Sequence, residues 1–179
     1  EGLILTEEEL QYQHKCCEGN LFGVKYTAQR LLAGDKIGRE LYESNLATVV
    51  RYLEDSVISA LNTELVDFLM KVSIVEEFTE QLAVMITGNS AAHGLIERAM
   101  DAGNFIDKRN DVYTIRFQSR EALRSKALKE FQPGELRDYA LLAGGYYEAN
   151  NEDNKALDLY VKYNETGRIR ELLLRNARK

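Results

Sequence analysis

The chain has no tryptophan, a single proline (Pro133) and only two cysteines, Cys16 and Cys17, which are neighbours. Adjacent cysteines on one helix are badly placed to bridge each other, so a disulfide framework is excluded and reduced thiols in the cytoplasm are expected. No apolar run approaches the ~18 to 20 residues that cross a bilayer, and no charged-then-apolar leader opens the chain. A cytoplasmic protein without membrane contact follows. The two histidines, His14 and His93, lie far apart, with no cysteine or carboxylate at ligand spacing, so no metal site is expected. Neither G-x-x-x-x-G-K-[ST] nor G-x-G-x-x-G occurs, which leaves the chain without a phosphate-cradling loop. No Ser-His-Asp or Cys-His set can be assembled. The carboxylate runs Glu7-Glu8-Glu9 and Glu76-Glu77 fall at a helix start and in a loop, where the helix dipole explains the first better than acid-base chemistry does. The chain by itself is expected not to be an enzyme.

What is present describes a folded body. In 179 residues, 45 % are hydrophobic and 29 % charged, enough to bury a core and too apolar for a disordered tail. The formal net charge of −6 gives no general attraction to nucleic acid or anionic membrane.

Most of the chain carries the helical period. Thr6 and Glu9 form a capping-box pattern for a helix reaching about Glu18, and "LFGVKYTAQRLLAG" predicts a second helix stopping at Gly34. Leu46, Val49, Val50, Leu53, Val57 and Leu61 recur at spacings of three and four, predicting one long helix from about Asn45. Asn62 can cap "TELVDFLMKV"; "TEQLAVMI" ends at Gly88; "SAAHGLIERAMDA" runs from Ser90 to Gly103. After "SREALRSKALKEF" and Pro133, "ELRDYALLAGGYYEAN" and "EDNKALDLYVKYNETG" read as an antiparallel pair, with Ala143 and Gly144 at the close approach and Tyr146, Tyr147, Tyr160 and Tyr163 as filler. "RIRELLLRNARK" begins a third helix whose Leu172, Leu173 and Leu174 need a neighbour. A truncated stretch of a longer chain is expected.

One segment departs from this period. In "FIDKRNDVYTIRFQS" the β-branched and aromatic residues Val112, Tyr113, Thr114, Ile115 and Phe117 face Phe105-Ile106 across a turn near Asn110-Asp111, which predicts a hairpin. A lone hairpin is marginal in water and needs a support. Three helices followed by a hairpin is the layout of a winged helix, with the hairpin as wing. A DNA-reading helix in such a fold needs donors for the groove and cations for phosphate. The helix before the wing carries Glu97, Arg98 and Asp101, so no direct DNA binding by this segment is expected. The helix after it is basic, with Arg120, Arg124, Lys126 and Lys129 against Glu121 and Glu130; a solvated face with intrahelical ion pairs is expected, a protein interface being the alternative.

The ordered series "LATVVRYLEDSVISALNTELVDFLMKVSIVEEFTEQLAVMITG" and "LIERAMDAGNFIDKRNDVYTIRF", preceded by "EGNLFGVKYTAQRLLAG", resembles the middle of MalT-like LuxR-family ATP-dependent transcription regulators, which belong to the STAND class of signalling ATPases. No one motif is specific; the order carries the likeness. It implies a mainly α fold: residues 1–44 as the helical lid of an upstream NTPase, 45–132 as a connecting helix and winged-helix bundle with one β-hairpin, and 133–179 as the start of TPR-like helical sensor repeats. The resemblance implies partners within the parent chain, namely its NTPase, sensor and helix-turn-helix domains, and self-association on activation. It also implies ATP or ADP for the parent and no cofactor in this stretch. The lid's Gly-x-Pro near adenine corresponds to Gly19, Asn20 and Leu21, with leucine in the proline place. The histidine that donates to the ADP β-phosphate corresponds to Gln118. An amide can donate a hydrogen bond but cannot become cationic, so nucleotide sensing is expected to be altered or lost. The other reading of Gln118 is that it only caps or solvates the helix it begins. The other reading of the whole is a static, non-catalytic protein-protein adaptor.

Overall fold

The computed structural model describes residues 6, 7, 10, 11, 17, 20–103 and 105–177. The helix expected from Thr6 to Glu18 lies largely outside them, as do His14 and Gly19. Among the described residues the fold is mainly α, with nine helices and one small antiparallel sheet.

Helix α1 (Leu21–Leu32) is capped by Asn20 and released at Gly34, whose φ of 100° favours glycine. It packs against α2 (Arg39–Tyr52) through a close approach at Gly23, where a Cβ would meet Val49 and Asn45 at 3.2 and 3.3 Å. Around that glycine sits a small polar knot. Asn45 Nδ2 donates to the Gly23 carbonyl at 3.3 Å and to Thr27 Oγ1, beside the buried Cys17 thiol, and Phe22 stacks on Tyr52 at 4.3 Å. Cys17 thus packs where helices meet.

The long periodic helix starts six residues earlier than the expected Asn45, at Arg39, because polar residues complete a first turn that buries only Leu41. It also does not end cleanly. At Leu53–Val57 it widens into a π-helical turn and then tightens into a 3₁₀ turn, Ile58–Ala60. Such insertions change the helical phase, and this one brings both Leu53 and Ile58 into the core.

The winged-helix bundle follows. In α3 (Thr63–Val72) the Asn62 side chain accepts from Leu65 N at 2.9 Å, and Leu65, Phe68, Leu69 and Val72 make the buried stripe. Helix α4 (Glu80–Thr87) is capped by Thr79 and ends at left-handed Gly88, and α5 (Ala92–Asp101) ends before Gly103, φ 76°. Strands β2 (Ile106–Arg109) and β3 (Val112–Ile115) form the expected wing, with Asn110 at φ 55° in the turn. The hairpin is not alone. Strand β1 (Glu77–Phe78) pairs with β3 through Glu77–Thr114 and Phe78–Tyr113, giving the order β1-β3-β2. Phe117, read as strand, is instead the first residue of α6 (Phe117–Glu130).

Pro133 opens α7 (Pro133–Ala149), with Glu135 accepting from the Gln132 N–H at 2.9 Å in a capping box. Helices α8 (Asp153–Lys162) and α9 (Thr166–Asn176) complete the repeat-like part, α8 packing on both α7 and α9. The small residue of α7 meets the fully buried Tyr160 ring as expected: a Cβ at Gly144 would lie 2.6 Å from Tyr160 Cζ. The core runs without a break from Val49 through the winged helix to Leu172.

Two outcomes test this packing. Gly144→Ala should lower unfolding free energy by about 1–3 kcal/mol, because Tyr160 cannot move out of the core, while Gly145→Ala, which opens on empty space, should be neutral or stabilising by about 1 kcal/mol. Urea denaturation compares them. Glu54, in the π-helical turn, is partly desolvated, which opposes its ionisation, but hydrogen bonds from Lys129 and Ser125 and the charges of Lys129 and Lys126 outweigh this and hold its carboxyl below the ordinary range. A depressed acid adds stability that is complete above its unfolded pKa and vanishes as pH falls through its folded one. Glu54→Gln should therefore cost about 0.5–1 kcal/mol at neutral pH and nothing once the carboxylate of the wild type is protonated, as read from denaturation series across pH.

Candidate functional site

The four positions that the resemblance singles out lie at two places. Asn20 uses its side chain as the α1 cap, Oδ1 accepting from Phe22 N at 3.0 Å and Gly23 N at 3.3 Å. Leu21, beside it, is 83 % exposed. Gly19 is outside the described residues. Gln118 lies in the first turn of α6, directly behind the wing, and is 4 % exposed, so it is buried rather than solvated. Helix α2 packs on both α1 and α6 and so joins the two places.

The chemistry-bearing residues converge elsewhere, on residues 73–79. Helix α3 ends at Val72, and the carbonyls beyond it have no helical partner. Arg124 of α6 reaches across to them, Nε donating to the Ser73 carbonyl at 2.7 Å and Nη2 to that of Ile74 at 3.1 Å, while Nη1 meets Glu121 at 3.3 Å. Arg120, one turn back and 8 % exposed, pairs with Glu76 at 2.9 Å. From the other side α7 supplies two phenols. The Tyr147 hydroxyl donates to the Glu77 carbonyl at 2.9 Å, and the Tyr146 hydroxyl lies 3.0 Å from Thr79 Oγ1. The link from α3 through β1 to α4 is thereby held by α6 and α7 together.

This corrects the expectation of a solvated basic face on residues 117–130. Arg124–Glu121 and Lys126–Glu130 are intrahelical pairs, but Arg120 and Arg124 point inward, and Lys129 bridges to Glu54 at 2.5 Å. Helix α6 is packed on several sides, against α2, α3 and the π-helical turn, so it lacks a clean apolar stripe. That missing stripe was the available signal. The clamp itself needs residues about fifty apart in sequence, which periodicity does not connect.

A cleft of about 440 Å³ opens beside the clamp, between Ile74–Glu77 and the α7–α8 residues Tyr147, Lys155 and Asp158. A second hollow of about 670 Å³, lined by Met70, Leu128, Leu136 and Tyr163 among others, adjoins it, the two sharing Ile74, Arg124 and Lys162. Burial lowers the Lys162 pKa, and the like charge of Arg124 adds to this. Burial also lowers that of Arg124, with Arg120 as the next contribution, and burial raises that of the Tyr163 phenol.

The helix before the wing has its charges drawn into surface pairs. His93 lies 3.0 Å from Glu80 and 3.3 Å from Glu97, and Arg98 meets Glu64 at 3.2 Å. The hydrogen bond to Glu80, then the attraction of Glu97, pushes the His93 pKa up. On the wing, Arg116 grips Asp107 with two bonds of 2.8 and 3.0 Å, which hold that carboxyl below its usual range. No group of metal-ligating side chains occurs among the described residues, and none of their helices is long and apolar enough to cross a membrane.

A comparison with curated proteins finds no match to the chain. Residues 53–135 match the family model of the MalT winged helix domain. The matched stretch begins where α2 widens into the π-helical turn and ends in the first turn of α7, enclosing α3 to α6 and the sheet. Sequence model and geometry agree on a MalT-like winged helix over this part of the chain.

Proposed function

We propose that the chain is the central coupling segment of an ATP-dependent, LuxR-family regulator of the MalT kind. In this reading residues 1–44 are the lid of an upstream NTPase of the STAND class, 45–132 the connecting helix and winged helix, and 133–179 the first sensor repeats. The observation that carries it is the place of the MalT-like winged helix: it packs on α2 through α6 and on α7 through α4 and residues 73–79, so a displacement of either neighbour reaches it. Rigid-body rearrangement between packed bodies of this sort is a common form of relay. The segment does no chemistry of its own. ATP or ADP belongs to the NTPase of the parent, with Gly19, Asn20, Leu21 and Gln118 at the sensing positions, and activation leads to self-association in the cytoplasm.

Direct DNA contact is not part of this reading. The helix before the wing is flanked by Glu64, Glu80 and Glu97, and the arginines of α6 are engaged inside the fold. The second reading, a static protein-binding adaptor, draws on the exposed Val161, Leu173 and Leu174 of the helical pair and its neighbour. A P-loop encoded upstream of this stretch would favour the relay, and its absence the adaptor. Limited proteolysis of the full-length parent should show nucleotide-dependent cutting at residues 34–45, where Gly34 breaks the helical pair; identical patterns with ADP and ATP would count against the relay.

A further inference from the structure

The saddle between the two hollows has an electrostatic peculiarity. Arg124 is held by three acceptors, which fixes its charge in place at the floor. Lys162, on α8, lines both hollows with it, and the two like charges repel. The carboxylates close enough to offset it belong to other partners, Glu121 to Arg124 and Glu76 to Arg120. Asp158, one turn earlier on α8, lines the other hollow with Lys155, which is itself bonded to Glu152 at 2.5 Å. Two cations that line the same hollow, the exposed Lys162 and the half-buried Arg124, attract an anion, and the charge-assisted hydrogen bonds it would receive are the strong kind.

The larger hollow shows what else the anion carries. Its wall is apolar at Met70, Leu128 and Leu136, with Leu128 72 % exposed, and it closes at the Tyr163 ring. At about 670 Å³ it has the size of an organic-ligand site rather than of an inorganic ion. We propose that this junction binds an organic anion, its carboxylate or phosphate seated between Lys162 and Arg124 and its apolar body along Met70, Leu128 and Leu136. The Tyr163 phenol stays neutral and is a further donor at the rim. Because Arg124 belongs to the winged helix and Lys162 to the helical pair, an occupant ties the two parts together. Binding stands whether or not the chain relays a nucleotide signal.

The experiment titrates the chain with octanoate, octyl phosphate, octanol and inorganic phosphate, followed by calorimetry and by amide chemical shifts. Saturable binding of octanoate, octyl phosphate or both, with shifts at Arg124 and Lys162, is expected, and which of the two binds identifies the head group. Inorganic phosphate should bind more weakly and octanol not at all. Lys162→Gln should weaken the anion about tenfold or more, Lys162→Arg should restore most of it, and Lys36→Gln in the α1–α2 loop should leave it unchanged. The Lys162 ammonium lies 5.7 Å from the Tyr163 ring centroid, so Lys162→Gln gives up one cation–π contact and should lower the unfolding midpoint only slightly, and Lys162→Arg should keep it. Octanol binding as well as the anions, equal binding by Lys162→Gln, or no saturable binding by about 10 mM probe would overturn the site.

Discussion

Everything in this fold depends on how the chain gets from α3 to α4. The seven residues 73–79 leave a helix, run two residues as an edge strand and enter another helix, so their carbonyls need partners from outside. Arg124 provides for two of them, Tyr147 for a third, and β3 for the pairing of Glu77 and Phe78. A half-buried arginine that donates to carbonyls is costly to remove, because its loss would orphan several acceptors together. The same stretch touches the winged helix, the wing and the helical pair.

That arrangement explains which features were legible in the sequence. Helices whose ends carry their own chemistry could be read closely: Asn62 and Thr79 cap, Gly88 and Gly103 stop, and the close approach of Gly144 to Tyr160 followed from a small residue opposite aromatics. The wing was legible because four-residue strands with β-branched and aromatic residues show their period. Strand β1 was not, since two residues have no period at all; its existence is dictated by the partner β3. The start of α2 was misplaced because its first turn is polar, and α6 was misread because a helix buried on several sides carries arginines inward. Of the resemblance-based positions, Asn20 is a cap and Gln118 is buried behind the wing, and their sequence surroundings alone distinguish neither role.

The π-helical turn at Leu53–Val57 belongs to the same mechanical system. It is where α2, which holds α1 through the Asn45 knot, passes into the winged helix, and its Glu54 is tied to Lys129 on α6. Widened turns have weaker internal hydrogen bonding than α-helix and are a natural place for a bend. The match to the MalT winged helix domain starts at this turn, so the change in helical geometry coincides with the start of the matched stretch.

Winged helices that read DNA keep their cations on the outside, where phosphate can reach them. Here the two arginines most buried in α6 face the protein, the helix before the wing pairs its charges with carboxylates of α3 and α4, and Arg116 is closed onto Asp107 within the wing. Positive charge is also exposed on the wing strand at Lys108 and Arg109, and lies at the saddle of Arg124 and Lys162, between the winged helix and the helical pair. On α6 the charged side chains are engaged within the fold, tying that helix to residues 73–76 and to the π-helical turn.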